Sequence, residues 1–84
     1  MNKTININLS GIVFHLDEQA YEAFKTYLSQ VKQALSGQEG GTEIIADIEA
    51  RIAELFSQRL ESFKRSVVIT SDIFFIIDTL GRPE

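Results

Sequence analysis

Eighty-four residues, 44% hydrophobic and 24% charged, describe one globular domain with a single modest core, too short for two domains and too ordinary in composition for a disordered tail. There is no cysteine, which excludes disulfide staples, thiolate zinc sites and a thiol nucleophile, and leaves the redox compartment open. A net charge of −4 and a pI near 4.9 give an average field that repels phosphate backbones and anionic headgroups, so nucleic acid is a poor first expectation.

The N-terminus reads Met1-Asn2-Lys3-Thr4 and then alternates polar and apolar, without the continuous apolar stretch of a signal peptide. The longest unbroken apolar run, Ile73 to Ile77, falls far short of the ~20 residues that span a bilayer. The expectation is a soluble chain made in the cytoplasm.

Strands are predicted over 4–9 and 12–16, where Ile5, Ile7 and Leu9 alternate with Thr4, Asn6 and Asn8, and Ile12, Phe14 and Leu16 alternate with Val13 and His15. A two-residue turn at Ser10-Gly11 sets Leu9 opposite Ile12, Ile7 opposite Phe14 and Ile5 opposite Leu16, which brings all six apolar side chains to one face. A slip of one residue destroys that agreement. Asp17 is placed to cap a helix over 18–36, with Glu18 and Glu22 near the positive end of its dipole. Ala20, Tyr21, Phe24, Tyr27, Leu28, Val31 and Leu35 share one arc of it, and Gly37 is its stop.

Ser36 to Gly41 reads as a flexible connection to a second helix, over 43–61, with Thr42 as its cap. Ile44, Ile45, Ile48, Ile52, Leu55 and Phe56 form its apolar arc. A third strand is predicted over 67–69, its place in the sheet left open. A last helix over 71–80, capped by Thr70 or Ser71, is stopped by Gly81 and Pro83. The order β-β-α-α-β-α, with one apolar sheet face covered by amphipathic helices, is that of an α+β two-layer sandwich spanning residues 1–84 as one domain.

A search for chemistry finds no assembled site. His15, the single histidine, falls on the polar strand face opposite Asn6, without the company of a catalytic base or zinc ligand. Glu43, Asp47 and Glu54 share a helix face with Arg51 between them, which ion pairing on a solvated surface explains, and a bundle-type metal site would need a histidine three residues after a glutamate. Gly37, Gly40 and Gly41 follow a helix rather than a strand and lack the lysine of a phosphate-binding loop. No catalytic residue, cofactor or metal is expected, and no small-molecule substrate. Arg59, Lys64 and Arg65 lie at a helix C-terminus, where the dipole favours cations. They are the alternative contact to nucleic acid.

The last helix stands out. Ile73, Phe74, Phe75, Ile76, Ile77 and Leu80 project around most of its circumference, whereas a helix lying on a core is apolar on one side. Either this helix sits deep between the sheet and the other helices, or, as expected here, part of its surface docks a protein partner or a second copy, with Phe74 and Phe75 at its centre and Ile77 and Asp78 beside them.

The run Thr4-Ile5-Asn6-Ile7-Asn8-Leu9-Ser10-Gly11-Ile12-Val13-Phe14-His15-Leu16-Asp17-Glu18, followed by Glu43-Ile44-Ile45-Ala46-Asp47-Ile48-Glu49-Ala50-Arg51-Ile52-Ala53-Glu54-Leu55, resembles the N-terminal region of PspC-domain proteins of Bacteroidetes-type bacteria. Val68-Ile69-Thr70, Asp72-Ile73 and Leu80-Gly81-Arg82-Pro83-Glu84 are similar to the close of that region. Such proteins are described as stress-responsive transcriptional regulators similar to phage shock protein C. The resemblance implies a cytoplasmic module tethered to the inner membrane by a downstream spanning segment, and it supplies no catalytic or ligand residue. Where that family commonly carries acidic residues in the last helix, this chain has Phe74 and Phe75, which implies an interface of its own. The expected function is a non-enzymatic interaction domain of a PspC-like envelope-stress regulator, self-associating or docking a protein. The alternative is DNA binding by the basic end of the second helix.

Overall fold

In the computed structural model, which describes residues 3–81, β1 (Thr4–Leu9) and β2 (Ile12–Asp17) precede α1 (Glu18–Leu35), α2 (Gly41–Phe63), β3 (Val67–Val68) and α3 (Thr70–Leu80). The fold is the α+β type in the order β-β-α-α-β-α that the sequence predicts. Pro83, an expected stop signal, lies outside the described residues.

The hairpin forms in the expected register, with Ile5 opposite Leu16, Ile7 opposite Phe14 and Leu9 opposite Ile12. Ser10 and Gly11 both take positive φ, 54° and 84°, as a tight turn matched to the strand twist requires. Asn8 Oδ1 accepts the Gly11 N–H at 3.0 Å and braces that turn. Burial along the shared face is uneven: Leu9, Phe14 and Leu16 are buried, Ile5 and Ile7 half-buried, and Ile12 exposed. β3 explains part of this. It pairs with β2 in parallel at His15–Val67 and Leu16–Val68 only, so the hairpin end of β2 has no neighbour on that side. The sheet order is β1-β2-β3.

Asp17 caps α1 as expected, its Oδ1 accepting the Ala20 N–H at 2.6 Å. The second helix differs from expectation at both ends. It begins at Gly41, with Gly40 rather than Thr42 in the capping position, because the end of α1 packs directly on its first turn. A Cβ at Gly41 would stand 2.7 Å from the Leu35 carbonyl oxygen, so only glycine permits that approach. It then runs two residues past the predicted end, to Phe63, and closes with Lys64 at φ 53° and the Arg65 N–H donating to Leu60 O at 2.9 Å. The third helix begins at Thr70, with Ile69 in the capping position. Neither Thr70 nor Ser71 caps it. The Asp72 carboxylate instead reaches back to the Ile69 N–H at 2.9 Å, one half of a capping box.

Phe56 is fully buried at the centre of the core, its ring edge-on to Phe14 at 5.3 Å and tilted against Phe24 at 5.7 Å. Leu16, Ala20, Ile52, Val68, Ile73 and Ile76 are fully buried in the same core, so every element except β1 places a fully buried aliphatic side chain there. Tyr27 Oη donates to Gly81 O at 2.7 Å and ties α1 to the end of α3.

Two substitutions test this packing. Phe56→Ala is expected to lower unfolding free energy by about 3–5 kcal/mol in urea titrations. Gly41→Ala, which in an open helix would be neutral or favourable, is expected to destabilise by about 1–3 kcal/mol through overpacking against Leu35.

Candidate interaction surface

Asp72 is the one buried charged residue among the described residues, 1% exposed at the start of α3. Such a carboxylate persists in a small core only if its charge is matched and its oxygens are hydrogen-bonded. Four hydrogen bonds do this. Arg59 Nε, from α2, donates to Oδ1 at 2.8 Å; Arg65 donates Nη1 to Oδ2 at 2.8 Å and Nη2 to Oδ1 at 3.0 Å; the Ile69 amide donates to Oδ2. Arg65 Nη1 also donates to Val67 O at 2.9 Å, which fixes the guanidinium over the α2–β3 turn. Burial alone would raise the Asp72 pKa, but the hydrogen bonds from Arg65, the Ile69 amide and Arg59 outweigh it and hold the group at about 2. Arg65 is raised in turn by its hydrogen bond to Asp72.

This network positions an aromatic surface. Arg59 and Phe63 stand one turn apart on α2, and Arg59 is drawn toward α3 by Asp72. Its guanidinium lies 4.8 Å from the Phe63 ring centre and 4.5 Å from that of Phe75, a cation in reach of two rings, while Arg65 lies 5.3 Å from the Phe63 ring centre. The rings remain open to solvent: Phe63 is 56%, Phe74 60% and Phe75 38% exposed. A shallow cleft of about 260 Å³ lies between Gln58, Arg59, Ser62, Phe63 and Phe75.

The residues singled out in the sequence divide clearly. Phe74, Phe75 and Asp78 are exposed on α3, whereas Ile77 is half-buried and packs mainly on the core. Ile73 and Ile76 are fully buried, so α3 is apolar both toward the core and away from it. Arg59 and Arg65 are engaged by Asp72, and Lys64 is exposed. Phe63 and Asp72 were absent from the expected site. The i, i+4 spacing of Arg59 and Phe63 and the acid three residues after Ile69 were the available signals. His15 pairs with the Asn6 amide oxygen on the exposed sheet face, and Arg51 pairs with Glu54 at 2.9 Å on the surface of α2. Among the described residues no group of three or more His, Cys, Asp or Glu is gathered as a metal site, and no helix is long and apolar enough to cross a membrane.

In comparisons with known proteins, no family model matches the chain, and no curated protein and no solved structure matches it.

The stability of this junction depends on the ionised form of Asp72. Because its folded pKa lies below its ordinary value, its contribution is complete above about pH 4 and is lost as the pH falls toward 2. Asp72→Asn is expected to lower stability at neutral pH by about 2–3 kcal/mol, since both arginines retain solvent access, and to flatten that acid limb in urea titrations between pH 4 and 2.

Proposed function

We propose that this chain is a non-enzymatic protein-interaction domain, the regulatory module of a PspC-like envelope-stress regulator, and that it docks a protein partner on the surface formed by Phe63, Phe74 and Phe75. In the full-length regulator it works on the cytoplasmic side, tethered to the inner membrane by a downstream segment. The observation that carries the reading is the exposure of Phe63 and Phe75 at the α2–α3 junction, both braced by a fixed arginine, with the exposed Phe74 next to Phe75 on α3. Aromatic and arginine side chains are enriched where partners bury surface, and a pre-positioned side chain loses less entropy on binding. A cleft lined by Arg59, Phe63 and Phe75, with Gln58 and Ser62 beside them, suits a partner segment that is apolar and carries hydrogen-bonding groups.

The DNA-binding alternative draws less support. Arg59 and Arg65, two of its three cations, already share the Asp72 carboxylate, which reduces the charge they offer to phosphate.

Photo-crosslinking in cells tests the proposal. A benzoylphenylalanine at position 74 is expected to give a discrete protein adduct that the same group at Gln30, exposed on α1, does not give. Phe74→Glu/Phe75→Glu is expected to fold normally by circular dichroism and to lose that partner. Adducts no different from those at Gln30 would contradict the reading, and a gel shift at low salt abolished by Lys64→Glu would favour DNA instead.

A further inference from the structure

β1 is one edge of the sheet and β3, only two residues long, is the other. An edge strand presents a row of unpaired backbone N–H and C=O groups, and folded proteins blunt it with charge, proline, a bulge or brevity. Thr4–Leu9 carries none of these: it is six residues long, holds no charge and no proline, and pairs with β2 without a break in register. Lys3 stands just outside it. In a chain of net charge −4, the uncharged run from Thr4 through Phe14 is a strip along which a second copy can approach without like-charge repulsion.

The adjoining helix carries a matching pattern. A groove of about 230 Å³ lies between Ile7, Asn8 and Leu9 of β1 and Lys25, Ser29 and Lys32 of α1, with Glu49 of α2 also at its wall and no residue of β2 or β3 lining it. Glu18, Glu22, Lys25, Ser29 and Lys32 follow one another at intervals of four, three, four and three residues, a single exposed stripe on that flank. Its first half is acidic and its second half basic.

We propose that two copies of this chain associate through their β1 edges about a two-fold axis perpendicular to the sheet, joining two three-stranded sheets into one of six strands. That axis preserves which face each side chain occupies, so Asn6 of one copy pairs with Asn6 of the other, Ile5 with Ile7 and Thr4 with Asn8, and the apolar faces become continuous. The same axis runs the two α1 helices antiparallel. An alignment that sets Lys25 of one copy opposite Ser29 of the other also sets Glu22 opposite Lys32 on both sides of the axis, so the stripe is complementary to itself. Self-association is thereby assigned to the strand edge, and this inference is independent of the aromatic surface.

Sedimentation equilibrium over a concentration series, at low and at physiological salt, tests it. The wild type is expected to be a reversible dimer. Asn6→Lys, which brings two cations together at the axis, and Glu22→Lys or Lys32→Glu alone, are each expected to raise the dimer Kd by roughly tenfold or more. The charge-swapped Glu22→Lys/Lys32→Glu chain is expected to regain most of the wild-type affinity, and Phe74→Glu/Phe75→Glu to dimerise normally. Should Asn6→Lys disturb the hairpin through loss of the Asn6–His15 bond, Asn6→Cys supplies the only thiol in the chain and is expected to oxidise to a covalent dimer. A wild type monomeric throughout, a dimer indifferent to Asn6→Lys and to both charge reversals, or a dimer abolished by the phenylalanine substitutions would each overturn the proposal. An edge that instead pairs only with a foreign strand gives that first, monomeric result.

Discussion

The junction of α2 and α3 depends on one buried negative charge. Asp72 is introduced into the core by the first turn of α3, and desolvation there disfavours its ionised form. What keeps it ionised is the arrival of two guanidinium groups from different places, Arg59 from the last turns of α2 and Arg65 from the turn that leads to β3. The carboxylate therefore sets both where α3 begins and how closely it lies on α2. Removing it would leave two partly solvent-exposed arginines without their shared partner, and α2 and α3 would lose the ion pairs that join them.

The aromatic surface is a consequence of the same interaction. With Arg59 held by Asp72, the rings of Phe63 and Phe75 both lie close to its guanidinium, their centres at 4.8 and 4.5 Å, and stay at the surface. The core is already filled by Phe14, Phe24 and Phe56, with Ile73 and Ile76 fully buried on the inner side of α3. Phe74, with neither an inward path nor an arginine above it, is the most exposed of the large apolar side chains. Ring surface at this junction is thus an outcome of a filled core and a fixed cation.

Local rules carried much of the fold in the sequence and little of the site. Strand parity specified the hairpin register pair by pair, and Asp17 marked the start of α1, because both depend on neighbours a few residues away. The start of α2 was hidden by Thr42, a good local cap displaced by the close packing of Gly41 on Leu35. Its end at Phe63 lies beyond the predicted one, since a lysine closes the helix where a glycine is the usual signal. Phe74 and Phe75 were legible as apolar residues in excess of one helix face. Arg59 and Arg65 read as cations suited to a helix dipole, and Asp72 carries no local signal that sets it apart beyond its spacing from Ile69. Their convergence depends on how α3 returns against α2, which no local pattern encodes.

The nuclear Overhauser pattern of the Arg59 side chain bears most directly on this arrangement. With Asp72 ionised, the Arg59 Nε–H is predicted to give a resolved resonance with cross-peaks to ring protons of both Phe63 and Phe75, and to lose them in Asp72→Asn. An Arg59 Nε–H without contact to either ring in the wild type, or with the same contacts after the carboxylate is neutralised, would contradict it.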